Sequence, residues 1–220
     1  LAAATIVANS YKYDGTGVSE DNVFPDFMKG KALISVVLPE SITRIGKNAL
    51  KECNAITSIT LPANVTTVDS YAFSNMSSLS TFNAAQGSKL GTLADYAFST
   101  TKALKSIDLT NAEQLSDIGK YAFSSSGIAS IALPGAIQTV GNYAFSSCGS
   151  LKEITLSART LGDYAFSSCS ALNTINLPNA TTLNQYAFNG CTALKSISMP
   201  NVSTIGTHVF DGCTSLKSIV

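Results

Sequence analysis

The pair Ala-Phe, or a close substitute, recurs as Ala49-Leu50, Ala72-Phe73, Ala97-Phe98, Ala122-Phe123, Ala144-Phe145, Ala165-Phe166, Ala187-Phe188 and Val209-Phe210. Successive pairs lie 23, 25, 25, 22, 21, 22 and 22 residues apart. Around each pair the same elements return in the same order: a Leu-x-x-Ile-x-Leu stretch, usually a Pro, two apolar residues three apart, a Gly or its substitute, Tyr-Ala-Phe and a turn of small residues. A unit this short cannot bury its own apolar side chains. It must stack on copies of itself and share one interior with them. The chain is therefore expected to coil from residue 27 to 220 into about eight turns, ending mid-repeat, with residues 1–26 as an N-terminal cap over the first turn.

The repeated stretches Leu33 to Leu38, Ile56 to Leu61, Leu79 to Ala84, Leu104 to Leu109, Ile128 to Leu133, Leu151 to Leu156, Leu172 to Leu177 and Leu194 to Met199 read as strands. Their last apolar residues alternate with polar ones, as on a strand with one buried face. Pro39, Pro62, Pro134, Pro178 and Pro200 follow directly, where a residue without an N–H ends a hydrogen-bonded ladder. Gly46, Gly119, Gly141, Gly162 and Gly206, with Asp69, Asn184 and Ala94 in the other copies, occupy the next corner. Gly, Asn and Asp accept positive φ most readily, so a left-handed conformation is expected there, with altered geometry at Ala94. Tyr-Ala-Phe then opens a short helical or irregular segment with its Phe inside. In the cap, Asp14-Gly15 suits a hairpin turn. A calcium loop from Asp14, Glu20 and Asp21 lacks the regular spacing of oxygen ligands that such loops need.

The run Leu183 to Pro200 carries the pattern Ile-Gly-x-Tyr-Ala-Phe-x-x-Cys-x-x-Leu-x-x-Ile-x-Leu-Pro nearly whole and resembles the BspA-like leucine-rich repeats of bacterial surface antigens. The repeat period falls in the range of leucine-rich repeats, and the similarity covers Phe27 to Val220. Ser157-Ala158 in place of Pro, and Met76, Thr101 and Ser126 in place of Cys, are its departures. The resemblance implies a right-handed leucine-rich-repeat solenoid of the α/β-type arc. Short parallel strands line its concave face and short helical or irregular segments its convex face. It also implies display outside the cell, on a bacterial surface or secreted, and binding to host extracellular-matrix proteins or other cells.

Several function classes are excluded by residue content. Lys plus Arg and Asp plus Glu each number 14, so the broad positive field that attracts nucleic acid is missing. No apolar run reaches the eighteen or so residues of a membrane span. Cys53, Cys148, Cys169, Cys191 and Cys213 all fall three residues after the Phe or Leu of the pair. A residue recurring once per coil at one structural position is a packing choice, and Cys behaves as a small hydrophobe. Buried, unbridged thiols are expected, because parallel side chains in neighbouring coils point alongside each other and not together. The single histidine, His208, stands in the slot that holds Tyr71, Tyr96, Tyr121, Tyr143, Tyr164 and Tyr186 elsewhere. With no CxxC pair and no nucleophile-His-acid set, no catalytic residue, metal site or cofactor is expected.

The outward strand positions on the concave face have no packing duty and are rich in hydroxyls and amides, with charge confined to the later coils. Lys105, Asp108, Lys152, Glu153, Thr155, Asn173, Asn176, Lys195 and Ser198 form the candidate surface, a shallow polar groove for a protein segment or a glycan. The expected function is a non-enzymatic recognition or adhesion module; the alternative is a spacer that only displays another domain. Leu216 and Ile219 begin a ninth strand whose edge is open, so further repeats or end-to-end association of copies are expected.

Overall fold

The computed structural model describes residues 33–220, together with the backbone of the strand Thr5–Ile6. The proposed cap, its hairpin turn and the acidic residues near it lie outside the described residues, apart from that strand, which pairs in parallel with Ser35–Val36. The rest is a parallel β-solenoid with two sheets and a third face of turns.

The concave sheet forms where the motif predicts it, but its strands are shorter than the motif. They are Ser58–Leu61, Thr81–Ala84, Ser106–Asp108, Ser130–Ala132, Glu153–Thr155, Thr174–Asn176, Ser196–Ser198 and Ser218–Ile219. The leading Leu or Ile of each motif sits in the preceding turn, as where Leu79 N–H donates to Met76 O at 3.2 Å. Ile59, Phe82, Ile107 and Ile131 are in register across the first four strands. Ile154, Ile175, Ile197 and Ile219 are in register across the last four. Between these two runs the sheet is split.

A second sheet was not anticipated. The apolar pair three apart ends in a two-residue strand in every coil: Arg44–Ile45, Thr67–Val68, Thr92–Leu93, Asp117–Ile118, Thr139–Val140, Thr160–Leu161, Thr182–Leu183 and Thr204–Ile205 make one unbroken eight-stranded sheet. Its outward column is mostly Thr, whose branched Cβ suits a pleated surface.

At the back of the coil the irregular of the two expected forms is the one adopted, and the expected place of the left-handed residue is corrected. Among the described residues no segment is helical. Tyr-Ala-Phe runs instead as consecutive tight turns, with Ala144 N–H on Gly141 O (3.2 Å) and Ser146 N–H on Tyr143 O (3.0 Å). Between those bonds the N–H groups of Tyr143, Phe145 and Ser147 donate to Asp163, Ala165 and Ser167 of the next coil, each at 2.8 Å. A helix would spend these donors within its own turn. Here alternate N–H groups point along the solenoid axis and tie coil to coil.

The left-handed residue is also not the corner Gly. Positive φ falls two residues later, at Asn48, Tyr71, Tyr96, Tyr121, Tyr143, Tyr164, Tyr186 and His208, and again four residues after each. The corner favours Gly for another reason: a Cβ at Gly119 would lie 2.5 Å from the backbone carbon of Ala94, and one at Gly141 2.8 Å from that of Gly119. Successive coils approach backbone to backbone at this point. Ala94 keeps the common geometry, its N–H bonding Val68 O at 2.9 Å just as Gly119 N–H bonds Leu93 O at 2.9 Å.

The interior is one continuous core. Phe73, Phe98, Phe123, Phe145, Phe166, Phe188 and Phe210 form a column of stacked rings with centroids 5.0–5.9 Å apart. Phe82, in place of the usual strand Ile, meets Phe73 and Phe98 edge-on at 5.2 and 4.7 Å. Beside them runs the cysteine column. The thiols of Cys148, Cys169, Cys191 and Cys213 each donate to the carbonyl of Phe123, Phe145, Phe166 and Phe188 respectively, all at 3.1 Å. These four thiols are unbridged, and Cys213 alone among them is not fully buried. Burial pushes Cys148 up to about 12 and Cys169 well above the usual thiol range.

Candidate functional site

The split in the concave sheet between Ser130–Ala132 and Glu153–Thr155 coincides with a change in chain length. Leu151 lies six positions after Phe145, but Ile128 lies only five after Phe123. The shortened turn is pulled so tightly against the previous coil that a Cβ on Gly127 would lie 2.0 Å from the carbonyl oxygen of Lys102. The following strand, Ser130–Ala132, is displaced from its neighbour Glu153–Thr155. The backbone bond across the gap is Lys152 N–H to Ala129 O, at 3.3 Å. Ile131 and Leu133 are only partly buried, whereas their counterparts Ile107 and Ile154 are 3% and 5% exposed.

Over this gap lies a groove of about 850 Å³ that runs from Ser130 to Ser198 and reaches Val220. Its floor is Ile131, Leu133, Ile154, Ile175 and Ile197, and its walls are Ser130, Thr155, Thr174, Asn176, Ser196 and Ser198 with one carboxylate, Glu153. Short hydroxyl and amide side chains let a ligand approach the sheet closely. The partly buried Ile131 and Leu133 add an apolar contact. A smaller hollow of about 320 Å³ lies at the other end of the sheet, over Val37, Ser58 and Thr60.

Of the residues singled out from sequence, Glu153, Thr155, Asn176 and Ser198 line the groove together. Lys105, Lys152, Asn173 and Lys195 do not: each directly precedes its strand, and the strand after Lys105 lies outside the groove. Asp108 is likewise outside. It accepts the N–H and hydroxyl of Thr110 at 2.9 and 2.6 Å, and these bonds, the hydroxyl's first, hold its carboxyl below the usual range. Its role is to close a turn. Ser130, Thr174 and Ser196 were passed over; strict alternation about the inward Ile131, Ile175 and Ile197 marks them, since both flanking residues of an inward position face outward.

No cluster of three or more His, Cys, Asp or Glu side chains able to hold a metal occurs among the described residues. Nor is any helix there long and apolar enough to cross a membrane. His208 Nδ1 lies 2.6 Å from Asp211 Oδ2 on the exposed turn face, with no nucleophile in that pair.

Comparison with known proteins places this architecture. The profile of the BspA type leucine rich repeat region matches in six copies over residues 25–152 and 116–220. No curated protein matches significantly. Among solved structures, a leucine-rich repeat protein of T. pallidum is 28% identical with a TM-score of 0.66, over 74% of this chain and 78% of that one. A leucine-rich repeat protein from Bacteroides ovatus is 26% identical with a TM-score of 0.58, over 86% of this chain and 55% of its own. The pneumococcal vaccine antigen PcpA shares the fold at 21% identity and a TM-score of 0.57, over 90% of this chain and 62% of that one. The chain thus spans a little over half the length of the Bacteroides protein. It belongs to the BspA-type leucine-rich repeat family.

Proposed function

We propose that this chain is a non-enzymatic recognition and adhesion module displayed outside the cell, and that it holds a protein or glycan partner in the concave groove over the sheet split. The observation that carries this reading is the coincidence of three features in one place: the groove, the partly buried Ile131 and Leu133, and the hydroxyl and amide walls. Concave solenoid faces are extended binding surfaces, and a local break in an otherwise regular sheet gives one part of that face a shape of its own. Lys152 and Lys195 on the rim, with Lys105 further along, offer secondary contacts to acidic groups.

The test is a pull-down against extracellular-matrix proteins, paired with a glycan array. Wild-type protein is compared with a Thr155→Lys/Asn176→Lys double variant that crowds the groove without touching the core. Binding lost in the variant supports the groove. Retained binding refutes it, and silence of the wild type on both supports favours a spacer.

A further inference from the structure

The residue directly ahead of each later concave strand stands in a column that the groove walls do not include. Ala129, Lys152, Asn173, Lys195 and Lys217 each donate their N–H to the carbonyl of the residue one coil earlier, the first to Lys105, at 2.8, 3.3, 2.8, 2.8 and 2.9 Å in turn. The ladder continues across the sheet split. Its four lysines are exposed, and none forms an ion pair among the described residues. The six strands that follow these positions carry two carboxylates: Asp108, already bonded to Thr110, and Glu153. Lys105, Lys152 and Lys195 recur at every second coil, ~9.6 Å apart at a strand separation of ~4.8 Å, and Lys217 adds a fourth charge one coil on.

On the reading that the concave groove holds a partner, we propose that the partner is a linear acidic glycan, with a carboxylate on every second sugar, lying along the solenoid axis with its carboxylates on the lysine column. One pyranose ring advances a glycan by about one coil spacing, so an anionic group on alternate rings meets a lysine on alternate coils. An extended acidic peptide fits less well, since side chains on one of its faces repeat at about 6.8 Å. The neutral groove walls, Thr155, Asn176 and Ser198 among them, suit the hydroxyls of the sugars. No aromatic ring lines the groove, so nucleic-acid bases and the apolar faces of neutral sugars lack a stacking platform there. Recognition is left to charge and hydrogen bonds. The five coil steps from Lys105 to Lys217, roughly 24 Å, take about six sugars.

A hyaluronan octasaccharide, which has a carboxylate on every second sugar, is the probe, read by isothermal titration calorimetry. Wild-type protein is expected to bind it saturably and to lose at least about tenfold in affinity as salt rises from about 0.05 to 0.5 M, because exposed charges are screened. A neutral dextran octasaccharide and an oligo-glutamate peptide should bind wild type at least about tenfold more weakly than hyaluronan does, a difference of about 1.4 kcal/mol. A Lys152→Gln/Lys195→Gln/Lys217→Gln variant should weaken hyaluronan binding by at least the same factor. A Lys89→Gln/Lys120→Gln/Arg159→Gln variant removes three exposed charges outside the column and should bind as wild type does. The proposal is overturned if hyaluronan does not bind, if its binding ignores salt, if the column variant binds normally, if the second variant loses as much, or if dextran or oligo-glutamate binds as tightly. The salt and ligand comparisons use wild-type protein alone and decide the matter even if a variant fails to fold. Each of these failures leaves the groove itself standing, because the groove is tested by whether the Thr155→Lys/Asn176→Lys variant keeps the partner found by pull-down.

Discussion

At Tyr121 the turn face makes a prediction whose sign separates it from a helix. Tyr121 has φ 56° and stacks on Tyr96 and Tyr143, both at 4.6 Å. Replacement by either Ala or Gly removes two stacked pairs, about 0.5–1.5 kcal/mol each. The two variants share that loss and differ only in backbone. In the left-handed region Ala pays about 1–2 kcal/mol that Gly does not. Gly gives back about 0.4–1 kcal/mol through the larger entropy of its unfolded chain. The balance leaves Tyr121→Gly more stable than Tyr121→Ala by about 0.5–1 kcal/mol, or some 2 °C in Tm for a chain of this size. Had Tyr-Ala-Phe been helical, the order would reverse by a similar amount, since Gly inside a helix is worse than Ala by roughly 0.5–1 kcal/mol. Urea denaturation followed by circular dichroism measures the difference directly. An Ala variant more stable than the Gly variant refutes the left-handed turn.

Phe145 stacks on two neighbours at 5.2 and 5.0 Å and is fully buried, so Phe145→Ala should cost about 3–5 kcal/mol; half-buried Phe210, with one stacked neighbour at 5.9 Å, should lose well under half as much in the same denaturation experiment. Gly127→Ala, with its Cβ 2.0 Å from Lys102 O, should cost about 2–3 kcal/mol, whereas Gly135→Ala, with nothing within 4 Å, should be neutral or gain up to about 1 kcal/mol. In native protein a thiol reagent should modify Cys213 well before Cys148, Cys169 or Cys191, which should follow global unfolding; stoichiometric reaction without denaturant counts against the buried column. The raised folded-state pKa of Cys148 keeps a proton that the unfolded chain releases near pH 9, so its stabilisation is complete below that pH. It is lost as pH rises toward about 12, on the order of 1.4 kcal/mol per pH unit. Cys148→Ala should flatten that decline in pH-dependent melts.

The stacked coil, its inward Ile and Leu residues and the Phe column were legible because a period near 22 residues and an alternation about each Ile are long-range, repeated signals. The second sheet was not. Strands of two residues such as Thr67–Val68 show no measurable alternation, and only the recurrence of Thr before an apolar residue hinted at them. The corner Gly was misassigned because one residue type answers two different needs, positive φ and close backbone approach. The true left-handed residue is a Tyr, which sequence statistics place almost anywhere else; its position is imposed by the ladder of bonds to the next coil, as from Tyr96 N–H to Lys120 O at 2.8 Å. On the concave face Lys152 and Thr155 are both exposed, in keeping with the outward reading; what no local feature of the motif marks is which outward positions lie in the groove.

Where a coil changes length decides what the change does. Ile118 lies nine positions after Leu109, Val140 seven after Leu133 and Leu161 five after Leu156, yet all three coils keep the second sheet in register, because the corner between the sheets carries no ladder and loops out freely. The missing residue before Ile128 is different. It lies in the turn that feeds the concave strand, so the shortage moves Ser130–Ala132 itself and opens the gap. Inserting one Ser between Ser126 and Gly127 should then restore the six-residue turn, let Ser130–Ala132 pair with Glu153–Thr155 and cover Ile131. Amide hydrogen exchange should slow by about tenfold or more at the strand edges facing the split, as newly formed backbone bonds must open before exchange. Exchange that stays fast there, in a variant that still folds, means that the gap has a cause other than chain length.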